Sequence, residues 1–223
     1  MWGMICSVIL LTTLALGACY GKGKSPPCAP MPSVGVSMAS AQWNIQFSSG
    51  MPLHPSTNAG GGWYFDFPAP PGSVHYVTTA VDMAASENMR AVIQVSTTGA
   101  PIFHYRLRPG NTCDVPAHVR LYLQQYGDDM TATKEFYRWW SNPAAYTLEA
   151  GSATLDVPFA PDRWTSVFGK RGTDSAQAEA GFKQAIANLA NVGFTFGGGC
   201  FFGHGVNVTG GAARFVATAF SVQ

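Results

Sequence analysis

Short runs of apolar or alternating residues, separated by turn-rich pieces, recur along the chain from residue 42 onwards. Each run is too short for a typical helix and has the alternation of a half-buried strand. The predicted strands are 43–47, 63–67, 73–82, 89–97, 102–107, 117–125, 134–141, 147–149, 153–159, 164–168, 192–196, 206–208 and 213–222. This spacing predicts an all-β jelly-roll sandwich, because a parallel α/β fold would place a helix between successive strands.

The composition supports a strand-rich fold with a substantial core. Hydrophobic residues make up 47% of the 223 residues and aromatic residues 13%, whereas charged residues make up only 11%. Strands favour aromatic side chains, and so low a charge content argues against a disordered chain. The 13 Lys and Arg residues balance 12 Asp and Glu residues. This balance argues against a nucleic-acid-binding groove, which needs clustered cations.

Only residues 174–191 have helical character. Asp174 or Ser175 can cap the helix, and its apolar residues fall on one stripe at spacings of three and four. The stripe consists of Ala178, Phe182, Ala185, Ile186 and Leu189. We expect this short helix to cover one edge or end of the sandwich.

The N-terminal segment is typical of an export signal. Residues 5–18 (ICSVILLTTLALGA) form an uncharged apolar run, shorter than the roughly 20 residues of a membrane span. The run leads into Leu16-Gly-Ala-Cys19, which resembles a bacterial lipoprotein signal and predicts a signal peptide over 1–18 with lipidation at Cys19. Cleavage after Gly17, as in an ordinary signal peptide, and an uncleaved anchor remain open alternatives. The lack of a Lys or Arg before the run departs from both signal-peptide patterns.

Residues 19–41 are rich in Gly, Ser and Pro and lack a sustained hydrophobic period. They predict a flexible linker. The folded domain is then expected over residues 42–223, which is the size of one domain.

Several predicted strands alternate between apolar and polar residues. If these strands are neighbours, one sheet has an apolar inner face and a polar outer face. The predicted outer face carries Arg90, Gln94, His104, Arg106, Arg120, Tyr122, Gln124, Arg138 and Trp140. Aromatic rings stack on sugars, and Arg, Gln and His hydrogen-bond to hydroxyl groups. The face therefore predicts a ligand-binding surface, with an ordinary solvated or partner-covered face as the alternative.

Trp139 and Trp140 are adjacent, so on a strand they point to opposite faces. One of them is expected in the core and the other on the surface. Trp140 is the predicted exposed one, because it shares its side of the strand with Arg138.

The C-terminal portion resembles galactose-binding-like jelly-roll domains, which are found in many carbohydrate-binding modules of secreted bacterial proteins. The resemblance rests on residues 164–169 (WTSVFG), the helix, 192–199 (VGFTFGGG), 203–206 (GHGV) and the last strand, 213–222. It implies a β-sandwich whose commonest role is non-catalytic glycan binding. It assigns no ligand residue.

Three cysteines lie outside the signal peptide and its Cys19 lipidation site. Cys113 and Cys200 both fall in predicted loops and are expected to form a disulfide in an oxidising compartment, which would leave Cys28 unpaired. Two buried thiols are the alternative.

The motifs of common catalytic and metal sites are missing from the sequence. The glycines at 197–199 and at 203 and 205 lack the GK[ST] of a phosphate loop, so they predict a tight loop in which His204 is structural or contacts a ligand. No histidine pair has zinc-site spacing, and no metal site is predicted. Asp128, Asp129 and Glu135 leave calcium as a possibility, although their spacing differs from an EF-hand.

The sequence thus predicts a non-catalytic, extracytoplasmic module that binds carbohydrate or another envelope polymer and needs no cofactor. It would be an outer-membrane lipoprotein, a periplasmic protein or a secreted protein, touching the membrane only through its N-terminal lipid or anchor. An envelope domain with a protein partner and a small glycan-active enzyme are the alternatives. An aromatic groove would favour the carbohydrate-binding module, and a flat apolar patch would favour the envelope domain with a protein partner. Two carboxylates about 5 to 10 Å apart in a cleft would favour the glycan-active enzyme.

Overall fold

The computed structural model describes residues 34–105, 115–199 and 202–223, which form an all-β sandwich of two antiparallel sheets with one α-helix. The strands are β1 (Val34–Gly35), β2 (Trp43–Gln46), β3 (Ser56–Thr57), β4 (Trp63–Asp66), β5 (Tyr76–Met83), β6 (Asn88–Tyr105), β7 (Ala117–Gln125), β8 (Arg138–Ser141), β9 (Tyr146–Thr147), β10 (Gly151–Pro158), β11 (Trp164–Thr165), β12 (Leu189–Gly198) and β13 (Val206–Val222). The helix α1 is Ala176–Ala187, and single 3-10 turns lie at Ser40–Gln42, Glu135–Tyr137 and Pro161–Arg163.

The six-stranded sheet has the order β10-β6-β13-β4-β3, and β1 pairs with β13. Its centre is the long pair β6 and β13, each of which the sequence had divided into two strands. The divisions were predicted at glycines that instead form a bulge, where Gly99 pairs with Gly211 and the register shifts after Thr209. A Cβ on Gly211 would lie 2.4 Å from the Thr98 carbonyl oxygen, so only glycine allows the strands to continue this closely paired.

The seven-stranded sheet has the order β11-β8-β7-β12-β5-β2, and β9 pairs with β7. The bounds of β7 agree with the predicted strand 117–125. Its alternation is also confirmed: Val119, Leu121 and Leu123 are buried in the core between the sheets. The residues between them therefore project from the outer face of this sheet.

The core between the sheets is dominated by aromatic rings. Trp43 and Trp63 lie with ring centroids 4.9 Å apart, and Phe65 stacks on Phe215 at 5.4 Å. Phe196 approaches Phe215 edge-on at 5.1 Å. Such contacts add about 0.5 to 1.5 kcal/mol per pair beyond the area that each ring buries.

The helix α1 forms where its capping residue and apolar stripe predicted it. The Ser175 side chain accepts a hydrogen bond from the Ala178 backbone N–H at 3.0 Å, which caps the N-terminus. Phe182 is fully buried against Trp139 and Trp164, at centroid distances of 5.1 and 6.3 Å. The helix ends earlier than predicted, because Leu189 already begins β12.

The sandwich includes residues that the sequence assigned to the linker. Val34 and Gly35 pair with Val222 and Ser221 of β13, and the Trp43 indole N–H donates to the Ser37 carbonyl at 2.8 Å. The described strands of the sandwich therefore begin at residue 34, before the predicted domain start at 42. The predicted signal peptide and the remainder of the predicted linker, 19–33, lie outside the described residues.

Candidate binding cavity on the seven-stranded sheet

The residues predicted to share one polar face are divided between the two sheets. Arg90, Gln94 and His104 lie on β6 of the six-stranded sheet. The predicted residues from position 120 onwards lie on β7 and β8 of the seven-stranded sheet: Arg120, Tyr122, Gln124, Arg138 and Trp140. The expectation that these strands are neighbours in one sheet is therefore wrong for β6. Arg106 lies outside the described residues.

The β6 residues of the predicted set are exposed and belong to an ordinary solvated face. Arg90 forms an ion pair with Asp156 at 3.8 Å, and both side chains are about half exposed. The His104 Nε2 atom lies 2.7 Å from the Thr209 hydroxyl on the neighbouring strand. Gln94 is exposed as well. Exposed polar side chains of this kind are what the solvated alternative predicts for the outer face of this sheet.

The β7 and β8 residues point outwards as predicted, but most of them are buried. Arg120, Tyr122, Arg138 and Trp140 are each less than 7% exposed. Trp139 is in the core, as expected, whereas the predicted exposure of Trp140 is wrong. The outer face is covered because segments that follow the strands fold back over it and contact these side chains.

A buried ion pair holds one of these covering segments in place. The Asp128 carboxylate lies 3.1 Å from the Arg138 guanidinium, with side-chain exposures of 0% and 4%. Asp128 also accepts hydrogen bonds from the Gln124 side chain at 2.6 Å and from the Met130 backbone N–H at 3.1 Å. Arg138 donates a further bond to the Thr131 carbonyl at 2.8 Å. The carboxylate and guanidinium thus have the additional partners that a buried pair requires.

Between the covering segments lies a cavity of about 440 Å³. Its lining combines aromatic rings with hydrogen-bonding side chains. The lining residues are Tyr76, Met130, Ala132, Arg138, Trp140, Asn142, Ser166, Val167, Phe168, Gly169, Phe202 and His204. Phe168 is 62% exposed and stands at the cavity as an uncovered aromatic ring. A volume of this size is within the range of small-molecule sites.

An aromatic row crosses the strands beside this cavity. The Tyr76 and Tyr122 rings have centroids 5.2 Å apart, and Tyr122 and Trp140 follow at 5.4 Å. Burial raises the pKa of Tyr76 to about 12, and it raises the pKa of Tyr122 well above its usual value. Both hydroxyls therefore keep their protons at neutral pH and can act as hydrogen-bond donors.

Buried side-chain polar atoms without a hydrogen-bond partner in the protein are concentrated on this outer face. Within the described ranges they are Thr78 Oγ1, Arg120 Nε, Trp140 Nε1, Thr165 Oγ1 and Thr195 Oγ1. The remaining ones are spread over Trp63, Asn88, Arg163 and Asn207. Buried polar groups are normally paired, and an unpaired one costs about 1 to 3 kcal/mol. The outer face of the seven-stranded sheet is thus polar, covered and short of partners.

The predicted glycine-rich loop contributes to the same cavity. Gly203 and Gly205 have positive φ values of 71° and 90°, and His204 between them lines the cavity. A Cβ on Gly203 would lie 2.6 Å from the Tyr76 hydroxyl. Glycine is therefore required here both by conformation and by the close approach to Tyr76.

Sequence reasoning missed five of the cavity's aromatic and polar residues, one of which is Ser166, directly after β11. Tyr76, Phe168 and Phe202 come from chain segments far apart in sequence, and Asn142 follows the end of β8. Each of them lies within or next to a predicted strand or turn, and this local position was their only signal in the sequence. Their convergence depends on contacts between distant segments.

A second cavity of about 350 Å³ includes His104 of the predicted set. Its other lining residues are Ser49, Pro71, Gly72, Ser73, Tyr105, Gly205 and Asn207. Tyr105 is the one Phe, Tyr or Trp among these lining residues, so the second cavity lacks the stacked aromatic surface of the first.

The carboxylates that left calcium open are bound to different partners. Asp128 pairs with Arg138, Asp129 lies 3.2 Å from Lys134, and Glu135 lies 3.4 Å from Lys170. Hydrogen bonds from the Thr131 side chain and backbone, more than the Lys134 charge, lower the pKa of Asp129 to about 2. In the part of the chain that the structure describes, no three His, Cys, Asp or Glu side chains are grouped as metal ligands. This arrangement gives the calcium alternative no support.

The predicted disulfide and the predicted lipid site lie outside the described residues, because they involve Cys113, Cys200 and Cys19. Across the described ranges, no helix is long and apolar enough to cross a membrane.

Comparison with known proteins brings no relative. The chain matches no protein-family model, no curated protein and no solved structure at a significant level. The functional argument therefore rests on the geometry of the chain itself.

Proposed function

We propose that this protein is a non-catalytic carbohydrate-binding domain that binds its ligand in the cavity on the outer face of the seven-stranded sheet. The single observation that carries this proposal is the composition of the cavity, in which Trp140, Tyr76, Phe168 and Phe202 share the lining with Asn142, Ser166 and His204. Aromatic rings pack against the apolar faces of sugars, and the polar groups orient the hydroxyls.

The polar side chains of the lining support a polar occupant over an apolar one. Asn142, Ser166 and His204 line the cavity together with the aromatic rings. A ligand rich in hydroxyl groups can stack on the rings and hydrogen-bond to these side chains.

The same proposal includes the resemblance to galactose-binding-like domains and the extracytoplasmic location. The two-sheet architecture is compatible with a galactose-binding-like jelly roll, and residues 5–18 and Cys19 support an extracytoplasmic protein that is lipid-anchored or secreted. A glycosidase would need a pair of carboxylates in the cavity. No Asp or Glu from the described ranges is among the lining residues, so the geometry favours binding without hydrolysis.

The test is a binding measurement on the protein expressed from its full sequence, against a panel of soluble and insoluble polysaccharides. The informative variant is Phe168→Ala, because this ring is exposed and its removal leaves the core intact. We expect it to weaken binding about tenfold or more, as the loss of an aromatic anchor does. Phe168→Trp should retain binding, since it preserves the stacking surface.

The matched control is Ile102→Ala, which removes an exposed apolar side chain of the six-stranded sheet. It should bind as the unmodified protein does. Equal losses in Phe168→Ala and Ile102→Ala would contradict the assignment to this cavity. If no polysaccharide of the panel binds, the carbohydrate proposal fails, and a protein partner at the exposed Phe168 becomes the leading hypothesis.

A further inference from the structure

Phe47 is an exposed aromatic residue that breaks the alternation of its strand. It directly follows β2, in which Trp43 and Ile45 are buried in the core. Continued alternation would place Phe47 in the core as well, because it is the next residue but one after Ile45. Instead its φ is 55°, in the left-handed region, and the residue is 60% exposed. This conformation is costly for a residue with a side chain, so the exposed ring requires an explanation.

The ring of Phe47 lies against the cavity of the seven-stranded sheet. Its centroid is 5.7 Å from that of Tyr76, in an edge-on contact, and Tyr76 lines the cavity. Tyr76 precedes the core residue Val77 on β5 and therefore projects from the outer face. Phe47 thus stands just outside the cavity, next to its Tyr76 wall, with a ring surface open to solvent.

The segment that carries this ring is held in place by hydrogen bonds. The Ser48 hydroxyl donates to the Gln46 carbonyl and accepts from the His75 backbone N–H, each at 2.9 Å. Ser49 and Ser73 pair through two backbone hydrogen bonds of 2.9 Å. The ring is therefore presented on a fixed backbone, which lowers the entropy cost of binding a ligand.

Exposed phenylalanines flank both edges of this outer face. The strand order β11-β8-β7-β12-β5-β2 makes β2 one edge of the sheet and β11 the other. Phe47 directly follows β2, and the exposed cavity residue Phe168 lies three residues after β11. Neighbouring strands lie about 4.8 Å apart, so these two edges are about 24 Å from each other. The row of Tyr76, Tyr122 and Trp140 crosses the strands between them.

The second cavity adjoins the Phe47 end of this row. Gly205, which lines the second cavity, directly follows His204, which lines the first. Ser49, two residues after Phe47, also lines the second cavity, and its hydroxyl lies 3.4 Å from that of Ser73. The chain segment that carries Phe47 therefore also contributes hydroxyl groups, which a sugar-binding subsite uses to orient its ligand.

We propose that the cavity is one part of a longer cleft whose ligand is an extended glycan chain of several sugar units, and that Phe47 forms an additional subsite for this chain beyond Tyr76. This inference rests on the proposed carbohydrate-binding function and specifies its substrate class, because a width of about 24 Å is several times that of one sugar ring. It requires that affinity increase with chain length and that Phe47 contribute only to the binding of longer chains.

The experiment measures binding to oligosaccharides of increasing length by calorimetry. Cello-, xylo- and chitooligosaccharides of two to six units serve as probes, beside their parent polysaccharides. For a series that the protein binds, we expect the hexasaccharide to bind at least about tenfold more tightly than the disaccharide, which is the effect of one further aromatic contact.

Variants then assign the gain with chain length to Phe47. Phe47→Ala should weaken hexasaccharide binding about tenfold and leave disaccharide binding unchanged. Phe168→Ala should weaken the binding of both, since Phe168 lines the cavity itself. Phe47→Trp should retain the preference for the hexasaccharide, because it keeps an aromatic ring. Phe47→Gly should lose that preference as Phe47→Ala does, and because glycine adopts a positive φ freely, this variant removes the ring without straining the fold.

The matched control is Tyr126→Ala. Tyr126 is an exposed aromatic residue that directly follows β7 and lies outside the lining of both cavities. This variant should bind every probe as the unmodified protein does. Circular dichroism and thermal melting verify that each variant is folded.

The outcomes separate this inference from the proposed function. Equal affinities for all chain lengths overturn the extended-chain inference, whereas the carbohydrate-binding function stands if Phe168→Ala still weakens that binding. A gain with chain length that Phe47→Ala leaves intact, or that Tyr126→Ala reduces equally, overturns the Phe47 subsite. Absence of binding to every probe overturns both proposals.

Discussion

The outer faces of the two sheets have similar alternating sequences but opposite environments. On the six-stranded sheet Arg214 pairs with Asp66 through bonds of 2.7 and 3.0 Å, with side-chain exposures of 44% and 61%. On the seven-stranded sheet Arg138 pairs with Asp128 at a similar distance, with both side chains almost fully buried. The same kind of ion pair is therefore solvent-exposed on one sheet and buried under a covering segment on the other.

The difference shows that alternation determines the face of a residue but not its exposure. The arginines of both sheets point away from the core, as their positions in the strands require. Exposure depends on whether another chain segment crosses that face. The segment at Asp128 and Met130 covers the seven-stranded sheet, and its cover creates both the buried ion pair and the cavity.

The largest expected effect comes from breaking the buried pair. Asp128→Asn should lower the free energy of unfolding by about 3 to 5 kcal/mol, because it leaves the Arg138 charge buried and unpaired. Urea denaturation at pH 7 measures the change. Replacing both residues, by Asp128→Asn with Arg138→Gln, should cost less than the sum of the two single changes. A loss below about 1 kcal/mol for Asp128→Asn would show that this site behaves like the exposed pair.

The second-largest expected effect is a decrease in stability at alkaline pH, which should arise from the covered outer face of the seven-stranded sheet. Burial raises the pKa of Tyr76 to about 12, whereas an unfolded tyrosine ionises near 10. The folded state therefore retains a proton that the unfolded state loses, and Tyr76's contribution to stability falls as pH rises from about 10 to 12. Between pH 9 and pH 11 the unfolding free energy of Tyr76→Phe should decrease by about 1 kcal/mol less than that of the unmodified protein. Parallel decreases in both proteins would argue that Tyr76 is not shielded from water.

The exposed ion pair between Arg214 and Asp66 should contribute less to stability than the buried pair between Arg138 and Asp128. Asp66→Asn should lower the free energy of unfolding by no more than about 1 kcal/mol, because solvent screens the pair. The Arg214 guanidinium also keeps its stacking on the Tyr64 ring, where the distance is 3.8 Å. The same urea titration, repeated in 1 M salt, should show an even smaller effect. A loss as large as that of Asp128→Asn would remove the contrast between the two faces.

The smallest expected effect is a shift in the pKa of His118, which the charge of the buried Arg120 influences. Burial, together with the Arg120 charge, lowers the pKa of His118 in the folded state. The His118 contribution to stability is therefore present above the unfolded pKa of about 6.5 and is lost as pH falls towards the lower folded value. Arg120→Gln should raise the pKa of His118, as measured by NMR titration. An unchanged pKa in this variant would mean that the Arg120 charge does not act on His118.

Local structure was predictable where one segment decides it. The alternation of β7, the opposite orientations of Trp139 and Trp140, and the Ser175 cap of the helix all follow from neighbouring residues. The arrangement of strands was not predictable in the same way. β6 and β7 are consecutive in the chain but belong to different sheets, and consecutive strands pair often enough to make the wrong expectation reasonable.

The sequence alone determined the all-β class, the inward and outward sets of β7 and β8, and the helix Ala176–Ala187, because period and capping are properties of adjacent residues. The tertiary structure alone decided which strands share a sheet, which outward faces are covered, and that Tyr76, Trp140, Phe168 and Phe202 line one cavity. These features depend on contacts between segments that are distant in the chain. Such contacts are selected by the packing of the whole core, which no local pattern contains.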